Sequence, residues 1–110
     1  NGFYKGIYHT QINNKNFLHK IYTLNELEYC FSQNNYAEKL ALYFCGKEAL
    51  IKALSSIGYN DIYWNNIDIS EKIFNVFEVK LLQKPSNIKL KISLSLNKSK
   101  AIAYAIALLK

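Results

Sequence analysis

At 110 residues, half of them hydrophobic, the chain is long enough to bury one core, and its composition excludes a disordered or disulfide-stapled polypeptide. The net charge of +6 comes from fourteen lysines without one arginine. That balance favours an acidic or phosphorylated partner, yet it lacks the usual bidentate reader of guanine and phosphate, so no nucleic-acid partner is expected. Neither a membrane span of roughly 20 apolar residues nor a signal peptide is visible, so no membrane partner is expected.

Cys30 and Cys45 form no CxxC pair and no disulfide framework, and both lie among apolar neighbours. Buried thiols in a reducing compartment are the expectation. The address that follows is the cytoplasm, with an organelle stroma as the alternative because the sequence opens on Asn1 rather than Met.

In chain order, residues 3–12 are rich in aromatic and β-branched side chains and predict a short strand, followed by an Asn-rich turn at 13–16. Residues 17–22 are apolar and of undecided type. Thr23 stands three residues before Glu26, a capping box that starts a helix carrying Leu24, Leu27, Tyr29 and Cys30. A longer helix follows over residues 36–56, with Leu42, Gly46, Ala49, Leu50 and Ala53 on one face and Leu40, Phe44, Ile51 and Leu54 on a second. A helix apolar on nearly every side is central, and Gly58 is placed to end it.

That helix nevertheless carries Lys47, Glu48 and Lys52. Charges in such a setting are either paired or retained for chemistry. An i,i+4 ion pair from Glu48 to Lys52 is one reading. A carboxylate held for a metal beside lysines held for phosphate is the other.

From residue 61 the pattern changes to period two. Residues 62–64 and 67–69 predict short strands about an Asn65-Asn66 turn, and residues 74–82 predict another. Lys84-Pro85 lies in a turn. Ile88, Leu90, Ile92 and Leu94 then alternate with Lys89, Lys91, Ser93 and Ser95. The last strand, residues 101–109, alternates alanine with Ile102, Tyr104, Ile106 and Leu108, which leaves one face small enough for a helix to approach closely. The expected fold class is α+β, a central helix packed on an antiparallel sheet.

Lys47-Glu48-Ala49-x-x-Lys52-Ala53, preceded by Phe44, resembles the K-E-A-x-x-K-A signature of 4′-phosphopantetheinyl transferases. Residues 17–30 are similar to a stretch of the small holo-acyl-carrier-protein synthases that carries T-x-x-E-L-x-Y-C, here Thr23, Glu26, Leu27, Tyr29 and Cys30. Lys84-Pro85 resembles their G-K-P turn, Ser93-Leu94-Ser95 their S-L-S-H strand, and residues 104–107 their Y-A-x-A pattern. The matches keep the family's order and span nearly the whole chain, so residues 1–110 read as a single domain of that type.

The resemblance implies transfer of 4′-phosphopantetheine from coenzyme A to a serine of an acyl carrier protein, a step in fatty acid biosynthesis. It implies Mg²⁺ between two carboxylates and the diphosphate, and a homotrimer with sites between subunits. Carried over by position, Glu48 is the metal ligand, and Glu48 and Lys52 are the catalytic pair. Lys47, Lys52, Lys84, Pro85, Ser93 and Ser95 are the coenzyme A contacts. Three expected residues are replaced: the aspartate of the first strand by Tyr8, the histidine of S-L-S-H by Leu96, and the glycine of G-K-P by Gln83. The alternative reading is a catalytically impaired member that binds carrier protein or coenzyme A, or stabilises a subunit.

Overall fold

The computed structural model describes residues 15–82, 87–97 and 100–109. The strand expected at residues 3–12, with Tyr8, lies outside them, as do Gln83, Lys84 and Pro85.

The undecided segment is helical: α1 spans Lys15–Ile21. Its Leu18 and Ile21, with Tyr22 just beyond, are buried, and the Tyr22 hydroxyl donates to the Leu40 carbonyl at 2.6 Å. The capping box at Thr23 forms in both directions and starts α2, Leu24–Phe31. The central helix α3 spans Tyr36–Ser56. Within residues 36–54 only Lys52 is exposed, as expected of a helix covered on all sides. It ends in a Schellman motif. Gly58 takes φ +98°, its N–H bonds the Ser55 carbonyl at 3.1 Å, and the Tyr59 N–H bonds the Leu54 carbonyl at 3.0 Å.

The strand expected at residues 62–64 does not form. Asn66 overrides the β propensity there: its side chain accepts from the Tyr63 N–H and its own N–H donates back to the Tyr63 carbonyl. The chain therefore turns through a 3₁₀ helix, Trp64–Asn66. Four strands follow: β1 Ile67–Ile73, β2 Val76–Leu81, β3 Ile88–Asn97 and β4 Lys100–Leu109. The class is α+β with antiparallel pairing, but β1–β2 and β3–β4 form two separate two-stranded ladders. Phe74 and Asn75, expected in a strand, make the first hairpin turn, where Asn75 takes φ +63°.

The alanine face of β4 is where α3 rests, as its small residues allow. Close approach shows most sharply at Gly46. A Cβ there would sit 2.7 Å from Ile92 Cδ1, 2.9 Å from Leu94 Cδ2 and 3.3 Å from Ile69 Cδ1. Side chains alternate across a strand, so Ser93 and Ser95 face away from α3, together with Ile102, Tyr104, Ile106 and Leu108. Leu96 continues the apolar parity of β3 only into an exposed end.

Candidate functional site

Glu48 follows Gly46 and Lys47 on α3 and is half-buried. It lines a cleft of about 350 Å³ between α3 and the start of β4. Ala41, Phe44 and Cys45 line it from the helix, and Lys100, Ala101 and Ile102 from the strand. Lys52 lies one turn further along α3 and is exposed. Among the described residues, no ion pair joins Glu48 to Lys52, so the i,i+4 contact is not what keeps these charges. The helix thus offers a carboxylate at a mostly apolar cleft with an ammonium group near by.

Lys47 occupies a different position. Its side chain has 0% exposure and pairs with Glu26 at 2.8 Å. The ammonium also donates to the Trp64 carbonyl at 2.8 Å and to the Ile67 carbonyl. Three protons meet three acceptors, so nothing remains for an outside phosphate. Glu26, likewise 0% exposed in its side chain, accepts from Lys47, from the Thr23 N–H at 2.9 Å and from the Ile69 N–H at 2.7 Å. Burial pushes the Glu26 carboxyl up and the Lys47 ammonium down, and their mutual contact opposes both shifts. The hydrogen-bond inventory decides the outcome: Glu26 meets only donors and Lys47 only acceptors, the pattern of an ionised pair.

Asp68 and Glu71, two further carboxylates of the chain, are engaged elsewhere. Asp68 accepts from the Thr23 hydroxyl. Glu71, 5% exposed in its side chain, takes Lys39 and the Asn75 N–H at 2.9 Å each and the Tyr29 hydroxyl at 2.7 Å. Among the described residues no group of three or more His, Cys, Asp or Glu could hold a metal ion. His19 is exposed on α1. Ser93 and Ser95 lie on the sheet face opposite α3, so one subunit does not bring them to Glu48.

Both thiols are quiet. Cys30 is 0% exposed, and burial, followed by the Glu26 charge, pushes it up to about 12. Cys45, half-buried, donates to the Ala101 carbonyl at 3.4 Å, and burial raises it too. No helix among the described residues is long and apolar enough to cross a membrane. What sequence reasoning missed is Glu26 as the partner of Lys47. Its place in the capping box explained it fully, and the only further signal was a buried lysine needing a counter-charge.

Comparison with known proteins agrees with the arrangement around α3. Residues 7–107 match the family described as the 4′-phosphopantetheinyl transferase superfamily. The chain is 34% identical over 105 residues to the holo-[acyl-carrier-protein] synthase of Clostridium perfringens strain SM101, covering 86% of this chain and 78% of that protein. It is 36% identical over 96 residues to the protein of that name from Carboxydothermus hydrogenoformans, covering 82% and 77%. It is 34% identical over 102 residues to the one from Alkaliphilus oremlandii, covering 86% and 83%. With the match running through α3 and all four strands, the chain belongs to the 4′-phosphopantetheinyl transferase superfamily.

Proposed function

We propose that the chain transfers 4′-phosphopantetheine from coenzyme A to a serine of an acyl carrier protein, releasing adenosine 3′,5′-bisphosphate. The observation that carries this reading is the K-E-A-x-x-K segment of α3, which sets Glu48 at a cleft and leaves Lys52 exposed a turn away. Relatives named holo-[acyl-carrier-protein] synthase supply the direction of transfer. In the reaction the serine hydroxyl attacks the phosphorus that carries the pantetheine arm, and the phosphoanhydride bond to the nucleotide breaks. The barrier is largely electrostatic, because an anionic diphosphate resists attack until its charge is compensated.

Lys52 supplies one positive charge there, and Lys100, on the opposite wall of the cleft, supplies a second. Phe44, Ala101 and Ile102 form an apolar wall that excludes water from one side of the reacting groups. Mg²⁺ binds through one or two carboxylates together with substrate phosphates and water. Glu48, a carboxylate with no ion-pair partner among the described residues, fits the role of that protein ligand. When bound there, the ion would neutralise diphosphate charge. Lys47 is not a phosphate contact in this reading, whereas Lys84 and Pro85 remain candidates.

A homotrimer is the assembly we infer. Its support is the outer face of β4, where Ile102, Tyr104, Ile106 and Leu108 are 40%, 73%, 54% and 53% exposed. Ser93 and Ser95 share that face, so burying it against another copy would bring them into an intersubunit site.

Incubation with coenzyme A, Mg²⁺ and an apo carrier protein, read by intact mass, tests the reaction. The carrier is expected to gain one phosphopantetheine. Coenzyme A binding without any gain, at enzyme in excess over several carriers, would instead establish a binding module.

A further inference from the structure

We propose that the buried Glu26–Lys47 pair positions Glu48, fixing the rotation of α3 so that the neighbouring carboxylate points into the cleft. The inference rests on the transferase reading for the role of Glu48, but its geometry stands apart from it. Among the described residues no side-chain hydrogen bond or ion pair holds Glu48 itself. Its direction is therefore set by the helix that carries it.

That helix is locked from two sides at consecutive residues. Gly46 sits against the ends of Ile92, Leu94 and Ile69 with no room for a methyl group, which fixes how closely α3 approaches the strands. Lys47 reaches three separate segments: Glu26 on α2, the Trp64 carbonyl in the 3₁₀ helix and the Ile67 carbonyl opening β1. Glu26 closes the link from its other oxygen onto the Ile69 N–H in β1. Successive helical residues turn by about 100°, so fixing Gly46 and Lys47 leaves Glu48 one direction, toward β4. Replacing such a pair with apolar side chains of similar volume often costs little stability. Apolar contact is non-directional, however, whereas three hydrogen bonds to three segments resist both rotation and sliding.

Cys45 and Cys30 report on this separately. Cys45 lies on the cleft side of α3 and is tied to Ala101, so its alkylation rate follows the setting of the helix. Cys30 has 0% exposure, so its alkylation follows unfolding. The double variant Glu26→Leu/Lys47→Met removes the pair without stranding a charge, and Glu26→Gln is the milder second variant if Cys30 of the double variant reacts freely. In the full chain we expect Cys45 of the folded variant to react with iodoacetamide about tenfold faster with Cys30 still protected, and kcat for carrier modification to fall at least tenfold. For Glu26→Gln the same shifts are expected at severalfold. A folded variant with both rates within twofold of the parent would overturn the proposal and leave the pair a stabilising contact only. A parent chain that modifies no carrier would overturn the transferase reading instead, while faster Cys45 alkylation in the variant would still support the locked helix.

Discussion

Two carboxylates show how surroundings divide the work of identical groups. Glu48 is half-buried, and no ion pair among the described residues depends on its charge. Glu48→Gln is expected to leave the thermal midpoint within a degree or two while lowering kcat for carrier modification about 100-fold or more, the usual scale for losing one electrostatic group at a reacting centre. A variant with near-parental kcat would remove Glu48 from the mechanism. Glu71 is the structural counterpart. Burial alone would raise its carboxyl, but the Asn75 amide, Lys39 and the Tyr29 hydroxyl outweigh burial and hold it below the ordinary range. A depressed native pKa stabilises the fold above the unfolded value, near about 4.3, and that contribution disappears as pH falls through the native one. Urea melts from pH 7 to 3 should therefore show an acid-side loss of stability that Glu71→Gln flattens. At neutral pH that variant should be less stable by about 1–3 kcal/mol, the scale for a broken buried charge-assisted network. An unchanged acid slope would place the titrating group elsewhere. Tyr29 answers from the other side, its hydroxyl pushed up to about 12 by burial and then by Glu71, so it stays a donor throughout this range.

Element boundaries follow local signals, and α3 is the best example. Its end is set by Gly58 in the left-handed region, and its all-round burial follows from the two apolar faces visible in the chain. Gly46 adds a constraint that periodicity only hints at. In Gly46→Ala the better helix propensity of alanine, about 1 kcal/mol, opposes overpacking of about 1–3 kcal/mol. The ends of three side chains from β1 and β3 would have to move together, so we expect a net destabilisation of about 1 kcal/mol by urea unfolding. A gain in stability would show that the sheet yields freely. The same contrast explains what was legible. The capping box at Thr23, the alternation in β3 and β4 and the glycine stop are short-range patterns, and each produced the expected element. The 3₁₀ helix at Trp64 was hidden because Ile62, Tyr63 and Trp64 favour a strand, while one Asn66 side chain reverses the chain. Lys47 was misplaced for a different reason. Its partner lies on α2, and no period in the sequence links a helix interior to the first turn of the preceding helix. The signature around it names the segment, but only the fold separates Lys47, buried against α2, from Glu48 at the cleft and Lys52 in solvent.

At the scale of the whole molecule the two faces of the β3–β4 hairpin have opposite requirements. The inner face must be small because α3 lies on it, so alanine alternates along β4 and the larger residues are placed outside. That displaced bulk forms a stripe of Ile102, Tyr104, Ile106 and Leu108 bordered by Ser93, Ser95, Lys89 and Lys91 of the paired strand. A row of large apolar side chains left open on a chain of net charge +6 is the kind of patch that association covers. The proposed homotrimer places the stripe between copies, which makes Ile106→Glu informative. A glutamate at an exposed position of one subunit disturbs little of its own fold, but it would bring like charges together around a symmetric interface and desolvate each of them. We expect light scattering at micromolar concentration to report a trimer for the parent chain and a monomer for the variant. Circular dichroism should be unchanged, and carrier modification should be lost because Ser93 and Ser95 no longer meet the Glu48 cleft of a neighbour. Mixing Ile106→Glu with an excess of Glu48→Gln subunits separates assembly from chemistry, because mixed trimers place an intact Glu48 cleft beside a subunit that still has Ile106. Partial return of activity in the mixture would tie the site to the interface. A fully active monomeric variant would confine the reaction to one subunit and leave the stripe to another partner.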